Sequence, residues 1–162
     1  MNPKKILIIS DTHRHCLSLQ KVIDRNGPFD MLIHLGDVEG QEDLIEDIAK
    51  CPCHIVAGNN DYYCSLPMEK EVWIGRYKVL LTHGHSYRVS MTTELIKEEA
   101  ISRGCQVAMF GHTHRPLIER SPEITLINPG SLSYPRQENG RGSYILMEID
   151  REGLDHYTIC YL

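Results

Sequence analysis

Two aspartates, one asparagine and four histidines carry the chemistry legible in this chain. Asp11-Thr12-His13, Asp37, Asn59, His83 and His112-Thr113-His114 each follow a short apolar run that ends in a small residue, at 6–10, 31–36, 54–58, 79–82 and 107–111. Their carboxylate and amide oxygens and imidazole nitrogens suit divalent transition metals such as manganese, iron, cobalt, nickel or zinc. Each residue alone has an ordinary reading, since Asp11 could cap a helix and a single His usually packs or meets solvent. Recurrence at five run ends points to a shared site.

A shared site requires the runs to be neighbouring strands. Strands buried on both faces read as continuous Val/Ile/Leu stretches, and open α/β sheets bind ligands beyond the carboxyl ends of their strands. Residues 4–10 read as a strand. A helix over 18–25 follows, with Leu19, Val22 and Ile23 on one face and Asn26-Gly27-Pro28 as its stop. A strand ending at Gly36, a helix over 41–50 with Leu44, Ile45 and Ile48 facing inward, and a strand over 54–58 complete a βαβαβ opening with right-handed crossovers. Gly75-Arg76 joins 71–74 to 77–82 as a tight hairpin, and helical spacing returns over 92–103. Beyond Gly111, segments near Leu117 and at 124–128, 143–149 and 157–160 read as strands without intervening helices. Gly36, Gly58, Gly84 and Gly111 are expected to let the backbone turn sharply and come close to the site.

One domain spanning residues 1–162 is the simplest organisation for a chain of this length. A hydrophobic fraction of 41% and a charged fraction of 24% are those of a soluble globular protein. A net charge of −5 lacks the basic footprint of a dedicated nucleic-acid binder. No apolar stretch approaches the ~20 residues of a membrane span. The six cysteines form no Cys-x-x-Cys pair and no signal peptide is visible, so free thiols in the cytoplasm are expected. Cys51-Pro52-Cys53 is the one local hint of a thiolate zinc site.

In order and spacing, Asp11-x-His13, Gly36-Asp37, Gly58-Asn59-Asn60-Asp61, His83-Gly84-His85 and Gly111-His112-x-His114 resemble the calcineurin-like metallophosphoesterase superfamily. Asn128-Pro129-Gly130-Ser131 resembles a segment of its small bacterial and archaeal phosphodiesterase branch. The resemblance implies an α/β fold, a four-layer α/β/β/α sandwich with two mixed β-sheets and a metal site at the strand carboxyl ends. It implies that Asp11, His13 and His114 hold one divalent ion, that Asn59, His83 and His112 hold a second, and that Asp37 bridges them, with manganese favoured. In such a pair, about 3.5–4 Å apart, a bridging hydroxide attacks phosphorus. The implied activity is hydrolysis of phosphodiesters, with phosphomonoesters also in range.

Beside these ligands, His85 and Asn60 are candidates for catalysis and for binding substrate, and Asp61 either orients a ligand or makes a turn. Arg14, Arg88, Arg115 and Arg136 are candidate phosphate clamps, the last two foremost. Asn60 stands where many relatives carry a His that protonates the leaving group, so a rate factor of about 10²–10⁴ must come from elsewhere or from good leaving groups. His15, His34, His54 and His156 match no motif and are read as structural or exposed. The expected partner is a small phosphate ester, without membrane or nucleic acid; oligomeric state is open, with a homo-oligomer in play. The alternative is a catalytically weak scaffold of the same fold acting through protein contacts, like the phosphoesterase-like subunit of the retromer complex.

Overall fold

The computed structural model describes residues 2–162. Strand β1 (Lys4–Ile9) shows why the first run is apolar throughout: Ile6 and Ile8 turn toward one hydrophobic cluster, Leu7 and Ile9 toward another, and all four are fully buried. Helices α1 (Leu17–Asn26) and α2 (Glu42–Ala49) alternate with β2 (Met31–His34) and β3 (Cys53–Ile55), and β1, β2 and β3 pair in parallel. β4 (Glu69–Ile74) and β5 (Tyr77–Thr82) form the hairpin, with Ile74 opposite Tyr77 and Gly75 at φ 59° as the first turn residue. Then come α3 (Glu94–Ser102), β6 (Val107–Met109), β7 (Pro116–Arg120), β8 (Thr125–Pro129), β9 (Ser143–Ile149) and β10 (Asp155–Tyr161).

The strands build two mixed five-stranded sheets, ordered β10-β9-β1-β2-β3 and β4-β5-β6-β8-β7. Ile6, Ile8, Ile33, Val79, Leu81, Met109 and Ile145 form the core between them. On the outer face of the first sheet, Leu7, Ile9 and Leu32 pack with Leu19, Val22 and Ile45 of α1 and α2. On the outer face of the second, Leu80, Ala108 and Leu126 meet Ile96 and Ala100 of α3. This is the expected four-layer order. Each fully buried Ile or Leu contributes about 1.5–3 kcal/mol of hydrophobic stabilisation, so the layers are held by their apolar faces.

Three expectations change in detail. The five runs are not five neighbours of one sheet: three lie in the first sheet and two in the second, and their ends meet where the two sheets share an edge of the sandwich. β2 and β3 stop at His34 and Ile55, before the glycines, and after β2 Gly36 at φ 103° turns the chain out of the ladder. Leu44 is 45% exposed while Ile45 and Ala49, one turn apart, take the inward face of α2. All six cysteines are free, and no helix among the described residues is long and apolar enough to cross a membrane.

Candidate metal centre

The donors stand on loops that leave the strand ends in an unusual backbone conformation. Asp11, His13, Asp37, His112 and His114 have φ of 55°, 45°, 60°, 71° and 58°, the left-handed region that L-residues avoid. Such residues cost about 1–3 kcal/mol each and persist where surrounding contacts over-determine them. The contacts are specific. Asp11 N–H donates to Gly36 O at 3.0 Å and His13 N–H to Asp37 O at 3.0 Å, which ties the first loop to the second. Asp61 accepts from Asp37 N and Glu39 N at 2.8 and 2.7 Å and from Gly58 N at 2.7 Å, which ties the second loop to the third. A Cβ on Gly58 would overlap Asp37 Oδ1, and one on Gly111 would overlap Ser10 Oγ, so the close approach of these loops demands glycine there.

Five of the seven candidate ligands converge, and the other two stand beside them. Asp11 Oδ1 lies 3.2 Å from His114 Nε2, 3.7 Å from His83 Nε2 and 3.8 Å from His13 Nε2. Asp37 Oδ2 lies 3.4 Å from His83 Nε2 and 3.6 Å from His13 Nε2. Asp11, His13 and His114 form one group that could hold a cation, and Asp11, Asp37 and His83 another, so Asp11 as well as Asp37 reaches both halves. Asn59 Oδ1 and His112 Nδ1 are 3.1 Å apart beside them, and the His83 and His112 rings are 5.2 Å apart.

The residues fit a cation on physical grounds. His83 Nδ1 donates to Leu35 O and His114 Nδ1 to Tyr134 O, both at 2.6 Å, so each neutral ring turns an Nε2 lone pair into the centre. Asp11 Oδ1 and His83 Nε2 are buried there without a hydrogen-bond partner. Two buried lone-pair atoms facing one another are costly unless positive charge lies between them. The pKa directions agree. Burial alone raises the Asp37 carboxyl, but His83 and the Asn60 N–H groups outweigh it and hold it well below the usual carboxylate range. Burial likewise raises Asp11, and His114, His83 and Ser10 reverse the shift. Burial lowers His83, yet Asp37 and Asp11 overcome it and push that imidazole up: the paired carboxylates draw in a positive charge. His112 is lowered by burial and then by His83, which keeps it neutral and able to ligate.

The other candidates occupy distinct places. Asn60 donates its backbone N–H to Asp37 Oδ1 at 2.9 Å and its side-chain amide to Asp37 Oδ2 at 3.0 Å, so it grips both carboxylate oxygens. His85 lies beside the centre, with ring centroids 5.5 and 6.2 Å from those of His83 and His112, and its Nδ1 is buried without a partner. Arg136 lines a cavity at His13 and His114, and with Arg115 it lines a neighbouring one. Arg14 lines a third, beside Asn60 and Asp61.

Several supporting residues carry no motif-level donor signal. His34, read as structural or exposed, is fully buried: its Nδ1 accepts from Gly36 N–H at 3.1 Å, which leaves Nε2–H to face Thr12 Oγ1 at 3.0 Å. Ser131 Oγ donates to Asp11 O at 2.7 Å, and Asn128 Nδ2 donates to Gly111 O and Thr113 Oγ1 at 3.1 and 3.0 Å. The Asn128-Pro129-Gly130-Ser131 segment, singled out in the sequence by resemblance, thus braces two of the candidate ligand loops, a role its residue types alone do not state.

Comparison with known proteins bears on the family and the fold. Residues 5–152 match the calcineurin-like phosphoesterase superfamily domain. A probable metallophosphoesterase of Mycoplasma genitalium, MG207, is 32% identical over 161 residues, covering 97% of this chain and 94% of its own. The solved structure of a novel archaeal phosphodiesterase superposes with a TM-score of 0.71 at 27% identity, covering 98% of this chain and 99% of the other. Vacuolar protein sorting 29 from Cryptosporidium parvum, at 18% identity, shares the fold with a TM-score of 0.78 over 99% of this chain and 98% of its own.

Proposed function

Because this chain belongs to the calcineurin-like phosphoesterase superfamily, we propose that it hydrolyses small phosphodiesters with two divalent metal ions held at the strand-end centre. The observation that carries this reading is the convergence of five donors, Asp11, His13, Asp37, His83 and His114, with Asn59 and His112 beside them, where Asp11 Oδ1 and His83 Nε2 are buried without a hydrogen-bond partner. Asp11, His13 and His114 would hold one ion and Asn59, His83 and His112 the other, with Asp37 between them. Manganese suits this mixed oxygen and nitrogen set, as do iron, cobalt, nickel and zinc. When bound, such ions neutralise charge on phosphoryl oxygens and acidify water from a pKa of 15.7 toward about 7.

The chain's own residues do the positioning. Leu35 O and Tyr134 O fix the His83 and His114 rings. Asn60 keeps both Asp37 oxygens in place, and in this arrangement its amide is a clamp on the carboxylate rather than a free donor to a leaving group. His85, with an unpartnered Nδ1 beside His83 and His112, is the side chain best placed to meet substrate on that side. The complete donor set favours a hydrolase over the scaffold reading. The test is to strip the protein with a chelator, reload it with each metal, and assay bis(p-nitrophenyl) phosphate, p-nitrophenyl phosphate and cyclic nucleotides. Metal-dependent diester hydrolysis is expected. Absence of turnover with every metal would leave the scaffold reading.

A further inference from the structure

Arg115 and Arg136 are brought together by the same loops that build the centre. Arg115 follows His114 directly, and its N–H donates to Thr113 Oγ1 at 3.2 Å, which Asn128 Nδ2 braces at 3.0 Å. Arg136 N–H donates to His114 O at 3.1 Å. Both main chains are therefore anchored to the histidine loop, and both residues, exposed at the surface, line clefts of about 730 or 520 Å³: Arg136 lines the larger, with His13, Glu39 and His114, and shares the smaller with Arg115. Ser90 and Thr93 add hydroxyls to the smaller cavity, and no carboxylate lines it. Neither guanidinium makes a salt bridge or side-chain hydrogen bond among the described residues.

This is a local reversal of charge in a chain of net charge −5. The cavity on the Asn60 side of the centre has the opposite character, with Glu42, Asp43 and Glu46 against the single cation Arg14. A ligand with a second anionic group is repelled on that side and attracted on the other. Arginine presents a planar fork of donors matched to phosphate and carboxylate oxygens. Two unpaired forks balance the double negative charge of a phosphoryl group, whereas a carboxylate would leave one uncompensated.

We propose that the cavity between Arg115 and Arg136 is an anion subsite for a second phosphoryl group, so that the preferred substrates carry a phosphate beyond the one that reacts. The subsite stands on these side chains alone; its assignment to substrate rests on the phosphoesterase reading. The two are separated by titrating the chelator-treated protein with inorganic phosphate. Without metal, the paired carboxylates of Asp11 and Asp37 repel phosphate, so binding reports the arginines. Arg115→Ala and Arg136→Ala should each weaken it about tenfold, the loss expected when one charge-assisted contact is removed, while Arg151→Ala, at a separate cavity beside Lys4 and Asp30, retains it. Absence of phosphate binding, or binding that neither substitution weakens, overturns the subsite.

With metal-loaded protein, short alkane bisphosphonates should inhibit bis(p-nitrophenyl) phosphate hydrolysis at least about tenfold better than methylphosphonate. Arg115→Ala and Arg136→Ala should each erase that preference. A preference that survives both substitutions overturns the assignment to substrate, and tighter inhibition by a matched phosphonocarboxylate overturns the choice of a phosphoryl group. If metal-loaded wild type proves inert on every ester, the phosphoesterase reading fails, and the metal-free titration still decides the subsite.

Discussion

Replacing Asp61 with Ala tests whether the centre is held by its loops or by its ligands. One carboxylate accepts three main-chain N–H groups, from Asp37, Glu39 and Gly58, at 2.7 to 2.8 Å. Hydrogen bonds to a charged acceptor contribute about 1.5–3 kcal/mol each. The three share one acceptor and are partly open to water, so they do not add fully. Relaxation of Asp37 and Glu39 from φ of 60° and 54° returns part of the loss. A net destabilisation of about 3 kcal/mol follows, which at about 2–4 °C per kcal/mol for a chain of this size lowers Tm by about 6–12 °C. Asp37 then loses its main-chain anchor while Asn60 still holds its carboxylate, and manganese affinity should fall about 10–100-fold, the usual cost of losing a group that orients a ligand. Thermal unfolding of the chelator-treated protein and calorimetric titration with manganese read the two effects separately. Asp61→Asn, which keeps one oxygen acceptor, should recover part of each. A Tm within about 2 °C of wild type, together with unchanged affinity, would refute the reasoning, because at that sensitivity the three contacts would contribute less than about 1 kcal/mol.

Asp37→Ala should abolish diester hydrolysis and reduce bound metal per chain, measured by elemental analysis after gel filtration; full metal content with wild-type turnover would refute a bridging carboxylate. Asn60→His places an imidazole beside Asn59 but removes the amide that holds Asp37 Oδ2, so aryl esters should slow, while alkyl esters recover a fraction of the about 10²–10⁴-fold available from general acid catalysis and slow less; an unchanged slope of log rate against leaving-group pKa would count against it. Burial pushes His34 from 6.5 down to about 3, against smaller opposing effects of Asp11 and Asp37. The unfolded chain therefore takes up the proton first, and the stability due to neutral His34 is complete above pH 6.5 and lost as pH falls toward about 3. At 1.36 kcal/mol per pH unit that loss reaches about 5 kcal/mol. Urea unfolding of the metal-free protein along this range should show it, and His34→Gln should flatten the dependence; parallel curves for the two proteins would refute it.

The candidate ligands were legible because each is a donor at the end of an apolar run, a place where chance seldom puts Asp, Asn or His five times. The layers were only half legible. Ile6 and Leu7 look alike in sequence, and a continuous apolar run says that both faces of β1 are covered without saying which face meets helices and which a second sheet. The left-handed φ values at Asp11, His13, Asp37, His112 and His114 run against local preference, so only tertiary contacts impose them. His34 carried a signal that was present and unread: a polar side chain in the buried run before Gly36 must find partners, and it finds Gly36 N–H and Thr12 Oγ1. The deeper limit lies in what orients the ligands. His83 and His114 are aimed by Leu35 O and Tyr134 O, and Ser131 holds the Asp11 carbonyl. Any residue supplies a main-chain carbonyl, so these partners leave no mark in residue identity. Side-chain chemistry names the donors, but the direction of each lone pair is set by backbone that the sequence encodes only through the whole fold.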